Sequence, residues 1–118
     1  RSAGALVRRY GRLASAWLAA HRQDEARQTL TEALQRADHP DLWSLLGDLE
    51  YLARNYGAAA AAFARSCELD AGDGRCWLMQ AYCAIEQDQD AAADRFLRRA
   101  AEFPEQADAA RRLLQRRR

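Results

Sequence analysis

Apolar residues recur at every third or fourth position along most of the chain, which is the spacing that places them on one face of an α-helix. No segment alternates apolar and polar residues as a half-buried strand does. The pattern breaks where turn-forming residues cluster, at residues 37–40, 55–57, 70–74 and 103–105. It therefore predicts an all-α fold with helices at residues 4–20, 23–36, 41–53, 56–69, 74–87, 90–102 and 106–116.

The connections between these predicted helices are short. Short links between helices favour antiparallel neighbours, and a single helical hairpin cannot bury its apolar stripe alone. We therefore expect antiparallel hairpins that stack on one another. A chain of 118 residues is long enough for one core, so residues 1–118 are expected to form a single domain.

A period of 34 residues is the strongest signal in the sequence. The positions that repeat at this spacing are Trp43 with Trp77, Gly47 with Ala81, and Ala59 with Ala93. The small residues are expected where two helices approach closely, whereas the tryptophans, together with Phe63 and Leu97, are expected to fill the space between hairpins. Core packing is therefore the first interpretation of both tryptophans.

This pattern resembles the tetratricopeptide repeat (TPR) family, in which a tryptophan, a Leu-Gly pair, an alanine and a phenylalanine recur at fixed positions of a 34-residue hairpin. In this chain Trp43, Leu46, Gly47, Ala59 and Phe63 carry the match most fully. The resemblance implies three antiparallel hairpins, at about residues 7–39, 40–73 and 74–107, that form a TPR-like superhelix (an α-α solenoid). A C-terminal capping helix is expected at about residues 106–116.

In TPR domains the first helix of each hairpin lines the concave face of the superhelix. The resemblance therefore implies a scaffold or adaptor that binds a peptide or helix of a partner protein in this groove. Tyr51, Leu78 and Tyr82 are expected to be its exposed apolar anchors. The full set of expected partner-binding residues is Asp48, Tyr51, Arg75, Leu78, Tyr82, Glu86 and Arg112.

Two other functions fit the same repeats. The stretch at residues 66–70, with Cys83 downstream, is similar to bacterial type III secretion chaperones, and an envelope or secretion assembly factor is equally compatible. The second alternative is a structural spacer within a larger protein that acts by self-association, so a homo-oligomer is possible. These alternatives stay open at this point.

Composition and charge bear on the solubility of the chain, on the class of its partner and on its compartment. Apolar residues make up 49% of the chain and charged residues 30%, and no apolar run is long enough for a membrane span, so we expect a soluble chain. Residues 1–22 carry five Arg and no acid, residues 23–94 carry five Arg and fourteen acids, and residues 95–118 carry eight Arg and three acids. Nucleic acid is not the expected partner, because it requires one continuous basic face. The compartment is not determined, with the cytoplasm slightly favoured over the periplasm.

The side chains that most often carry chemistry do not form a recognisable site. The three cysteines, Cys67, Cys76 and Cys83, are expected to be free thiols, with a disulfide and a metal site both disfavoured. His21 and His39 fall at helix junctions, where a capping or solvated histidine is the ordinary case. We therefore expect no enzymatic activity, no cofactor and no bound metal.

The acidic residues near the start of the sixth predicted helix also fit a structural role. Glu86, Asp88, Asp90 and Asp94 lack the glycine and the ligand spacing of a calcium loop. We expect Asp88 and Asp90 to cap the following helix. The arginines at the C-terminal end are expected to form a solvated helix face.

Overall fold

The computed structural model describes residues 3–117, and this part of the chain is helical with no strand. The predicted all-α fold is confirmed. Within these residues the seven helices are α1 (Ala3–Ala19), α2 (Gln23–Arg36), α3 (Pro40–Leu52), α4 (Tyr56–Leu69), α5 (Gly74–Glu86), α6 (Asp90–Ala100) and α7 (Pro104–Arg116). None of the helices described over this range is long and apolar enough to cross a membrane.

The two prolines begin helices. Pro40 is the first residue of α3 and Pro104 the first residue of α7. The first turn of a helix has N–H groups without intrahelical partners, so a residue that lacks an N–H costs nothing there, and its fixed φ suits the helix. The predicted starts at residues 41 and 106 were therefore one and two residues late.

Consecutive helices pack as pairs, α1 with α2, α3 with α4, and α5 with α6. The pairs meet through α2 with α3, α4 with α5, and α1 with α3, while α7 packs on α6 and α5. The result is an elongated stack with extents of 47 × 27 × 20 Å. This packing is consistent with the predicted arrangement of helical hairpins closed by a final helix.

The small repeated residues lie inside the stack of helices. A Cβ atom at Gly47 would lie 2.7 Å from the ring of Phe63, which is fully buried on the partner helix α4. The expectation of a close approach is therefore confirmed at Gly47. Ala59, Ala81 and Ala93 are fully buried.

The repeated tryptophans occupy a less buried position than expected. Trp43 and Trp77 are half-buried, and each donates its indole N–H to the linker that precedes its own helix. Trp43 Nε1 donates to Asp38 Oδ1 at 2.7 Å, and Trp77 Nε1 donates to the Ala71 carbonyl at 3.0 Å. Because the indole N–H must find a partner, each ring lies at the edge of the core with its polar atom at the linker.

Two of the cysteines form a disulfide, so the expectation of three free thiols was wrong. Cys67, near the end of α4, is bonded to Cys76, in the first turn of α5, with a Cα–Cα distance of 5.7 Å. Short linkers bring the end of one helix beside the start of the next, and a sequence separation of nine is enough to close the bridge. Cys83 is free and buried.

A partly buried ion pair links the first two hairpins. Nη2 of Arg27, on α2, donates a hydrogen bond to Oε1 of Glu50, on α3, at 2.9 Å. The Glu50 side chain is 12% exposed. Asn55 Nδ2 also donates to Glu50 Oε1, at 2.9 Å. The hydrogen bond from Arg27 lowers the pKa of Glu50, and burial raises it. The effect of the hydrogen bond is the larger one, so the pKa lies below its ordinary value. Glu50 is therefore an ion-pairing residue.

The acidic residues at the start of α6 hold the last helix in place. Arg117 Nη2 lies 2.7 Å from Asp90 Oδ1, and Arg117 Nε lies 3.0 Å from Asp94 Oδ1. The N-cap position of α6 is Gln89, which makes no side-chain capping bond, so the predicted capping by Asp88 and Asp90 was wrong. The carboxylates of Asp90 and Asp94 instead connect α6 to the C-terminal end of α7.

Candidate functional site

The first helices of the three hairpins line two adjacent depressions. The first part, with a volume of about 630 Å³, lies between α1 and α3, and the second part, of about 410 Å³, extends to α5. Ser15 on α1 and Leu45 on α3 line both parts, so the two depressions border each other. We call the two depressions together the groove. It follows from the hairpin stack, because equivalent helices of successive hairpins face the same side.

The end of the groove near α5 is apolar. Leu18, Tyr51, Leu52 and Met79 line it, and Leu52 keeps 64% of its surface exposed. The ring of Tyr51 packs edge-on against Tyr56 with centroids 5.2 Å apart. Burial raises the pKa of Tyr51 above its ordinary value, with the nearby Glu86 carboxylate as a second cause, so its hydroxyl stays protonated at neutral pH.

An ion pair crosses the groove between α5 and α3. Arg75 Nη2 donates to Asp48 Oδ1 at 2.7 Å, and Arg75 Nη1 donates to Ser44 Oγ at 3.2 Å. Since each charge already has its counterion, this part of the groove has little net charge. The Arg75–Asp48 ion pair therefore forms a polar bridge across the groove beside its apolar end.

The end of the groove near the start of α1 is basic. Arg8 and Arg12 line it, are exposed, and have no ion-pair partner among residues 3–117. Asp41 on α3 lines the same part, with a side chain that is 75% exposed and 3.9 Å from Nδ1 of His39. Arg12 was not among the residues expected from the sequence, although the excess of arginine in residues 1–22 pointed to this end of the chain.

The structure brings three of the predicted partner-binding residues together. Asp48, Tyr51 and Arg75 line the same part of the groove. Glu86 is exposed at the last position of α5, close enough to Tyr51 to raise its pKa. Arg112 is exposed on α7 and lines neither part of the groove.

The prediction that Leu78 is an exposed anchor was wrong. Leu78 is buried, with 9% exposure, in a cluster that includes Ala81, Leu97 and Ala110. Ala110 belongs to α7, so the capping helix covers this side of α5. Tyr82 is half-buried against the same cluster, which leaves it a smaller exposed surface than expected.

Cys83 and His39 have side chains of types that often take part in catalysis. In this structure Cys83 is buried and His39 caps a helix. Burial raises the pKa of the Cys83 thiol to about 11, so little thiolate forms at neutral pH. His39 is the N-cap of α3 and accepts the Asp41 backbone N–H through Nδ1 at 3.1 Å, as expected for a capping histidine. Over residues 3–117, no group of three His, Cys, Asp or Glu side chains is arranged to hold a metal ion.

Comparison with models of known protein families and with curated proteins gives no match for this chain. The groove and the 34-residue repeat pattern are therefore the features of this chain that bear on its function.

Proposed function

We propose that this chain is a tetratricopeptide-type protein-interaction domain, whose groove holds a peptide or a helix of a partner protein. The observation that carries the proposal is the pair of adjacent depressions along α1, α3 and α5, with the exposed Leu52 and the half-buried Leu18, Tyr51 and Met79 at one end. Sites for peptide segments commonly combine such a concave apolar surface with a few polar groups. The proposed role is binding, and no step of catalysis is assigned to it.

Leu52 is the proposed main anchor for the partner. It is the most exposed large aliphatic residue of those described, and it lies beside Tyr51, Leu18 and Met79. Covering the exposed part of a leucine contributes about 1–2 kcal/mol. Aromatic neighbours add contact area with little loss of side-chain entropy, which is why such clusters dominate interface energetics.

A matched pair of leucines tests the proposal. Leu52 and Leu69 are the last residues of α3 and α4, and both are exposed, but only Leu52 lines the groove. Peptides are selected on the immobilised wild-type domain from a random phage-displayed library, and their affinities are measured by fluorescence anisotropy. We expect Leu52→Asp to weaken binding by about tenfold or more, because it places a charge in an apolar contact. Leu69→Asp is expected to bind as wild type.

Equal binding by wild type and Leu52→Asp, with helical content unchanged by circular dichroism, would contradict the proposal. Selected peptides that lose affinity for both variants alike would also contradict it, because the binding surface would then lie outside the groove.

The disulfide favours one of the more specific roles. Disulfides persist in oxidising compartments and are rare in the cytosol. Cys67 and Cys76 are both buried in the bridge between α4 and α5. This supports a role in envelope or secretion assembly, in the periplasm or outside the cell, over a role in the cytoplasm. Recovery of the oxidised form from cells, with thiols blocked during lysis, is the expected result.

Self-association by end-to-end stacking has less support. Residues 1–22 and residues 95–118 both carry a large excess of arginine, and α1 and α7 lie at the two ends of the stack. Like charges at two apposed ends repel each other. The spacer function would therefore require a contact that avoids the ends.

A further inference from the structure

The two ends of the groove differ in charge, and this difference identifies the chemistry of the segment that binds there. We infer, building on the proposed function, that the segment bound in the groove is acidic where it lies over α1 and apolar where it lies over Leu52. The inference gives the composition of the bound segment and says which part of it lies at the basic end of the groove and which part lies at Leu52. It depends on three observations.

The first observation is that two arginines of the groove lack counterions. Among residues 3–117, Arg22, Arg27, Arg65, Arg75, Arg99 and Arg117 form ion pairs with carboxylates, and the other arginines have no ion-pair partner. Of these unpaired arginines, Arg8 and Arg12 are the two that line the groove. Their guanidinium groups are therefore available to an incoming carboxylate, with which arginine forms paired, charge-assisted hydrogen bonds.

The second observation is the spacing of these arginines. Arg8 and Arg12 are four residues apart on α1, so they lie on the same face, about 6 Å apart along the helix axis. Two carboxylates of one short segment can meet two arginines at that spacing. Among the residues that the structure describes, Asp41 is the one acidic residue lining this end, so two positive charges face one negative charge.

The third observation is the separation between the basic and apolar ends. Leu18 is six residues beyond Arg12 on α1, which places it about 9 Å further along the axis. The ion pair of Arg75 with Asp48 lies in the second part of the groove and leaves that part without net charge. A single short segment can therefore span from the arginines to Leu52, with its acidic residues at one end and its large apolar residues at the other.

Charge reversal at the two arginines tests the inference. Peptides selected from the random library on wild type are expected to carry Asp or Glu on one side of a large apolar residue. Arg8→Glu with Arg12→Glu is expected to weaken their binding by about tenfold or more at low salt, and added salt is expected to reduce the wild-type affinity. Arg8→Lys with Arg12→Lys keeps the charge and is expected to retain most of the binding.

The control variant is Arg95→Glu with Arg111→Glu. Both arginines are exposed, on α6 and α7, and neither lines the groove, so the net charge changes equally without changing the site. This variant is expected to bind the acidic peptides with at most a twofold to threefold loss, since exposed charges at a distance are largely screened. An equal loss in both double variants would overturn the inference.

The outcomes separate this inference from the proposed function. Peptides that depend on Leu52 but contain no acidic residues, or that bind the charge-reversed variant unchanged, would overturn the inference and leave the groove as the binding site. Peptides that ignore both Leu52 and the arginines would overturn both. Acidic peptides that require Leu52, Arg8 and Arg12 together would support both.

Discussion

The two junctions between hairpins are built from different chemistry, although they occupy equivalent places in the stack. At the first junction, between α2 and α3, Arg27 pairs with Glu50, and the linker residue Asp38 accepts hydrogen bonds from Trp43 and Arg65. At the second junction, between α4 and α5, a disulfide joins the two helices directly. One junction therefore depends on charge, and the other depends on a covalent bond.

This difference shows that the repeat specifies the packing geometry but not the interaction that stabilises it. Both junctions set the position of a helix that lines the groove, α3 in the first case and α5 in the second. The first junction is expected to respond to pH and salt, because ion pairs do. The second is expected to respond mainly to reductant, with the exposed Arg75–Asp48 pair as its salt-dependent part.

Loss of the disulfide is expected to have the larger effect. Replacing both cysteines, Cys67→Ala with Cys76→Ala, should lower the free energy of unfolding by about 2–3 kcal/mol, the value for a loop of this length. For a chain of this size that corresponds to about 10 °C in Tm. The measurement is thermal unfolding followed by circular dichroism, for both proteins with and without dithiothreitol.

The control is internal to that experiment. Reductant should lower the Tm of the wild type and leave the double variant unchanged. Alkylation in denaturant should modify one cysteine, Cys83, before reduction and three after it. Three reactive thiols in the unreduced protein purified under oxidising conditions would contradict the second junction as described.

Loss of the Glu50 charge is expected to have a smaller effect that depends on pH. Glu50→Gln should lower the free energy of unfolding by about 1 kcal/mol at neutral pH, because it removes a partly buried ion pair. The pKa of Glu50 is lowered below its ordinary value of 4.5 in the folded protein, so the ionised form stabilises folding above that value. The stabilisation is lost as the pH falls through the lowered pKa, and the difference between variant and wild type should then disappear.

Denaturant titrations at several pH values measure this difference. Glu32→Gln is the matched control, since Glu32 is exposed on α2 and has no ion-pair partner among residues 3–117. Its effect should be small at every pH. A Glu50→Gln difference that stays constant down to acid pH would contradict the role of the ion pair at the first junction.

The helices could be predicted from the sequence because their causes are local. The apolar spacing and the turn residues placed each of them to within about two residues. The close approach at Gly47 was also predictable, since a small residue that repeats beside a large one indicates tight packing. Local pattern and tertiary packing agree at these positions.

The sequence was less informative where a residue's environment depends on distant parts of the chain. Leu78 was expected in the groove, but α7 packs over that side of α5 and buries it. Gln80 lies buried with its Nε2 3.1 Å from Cys67 Sγ. Neither contact follows from helical spacing alone, because both depend on how successive hairpins are oriented.

The groove itself is tested most directly by hydrogen exchange of the backbone amides, measured by mass spectrometry with and without a saturating selected peptide. We expect added protection in α1, α3 and α5, centred on the residues around Ser15, Leu45 and Leu52, with little change in α2, α4 and α6. Protection confined to α2, α4 and α6, or to α7, would place the partner on another surface and contradict binding in the groove.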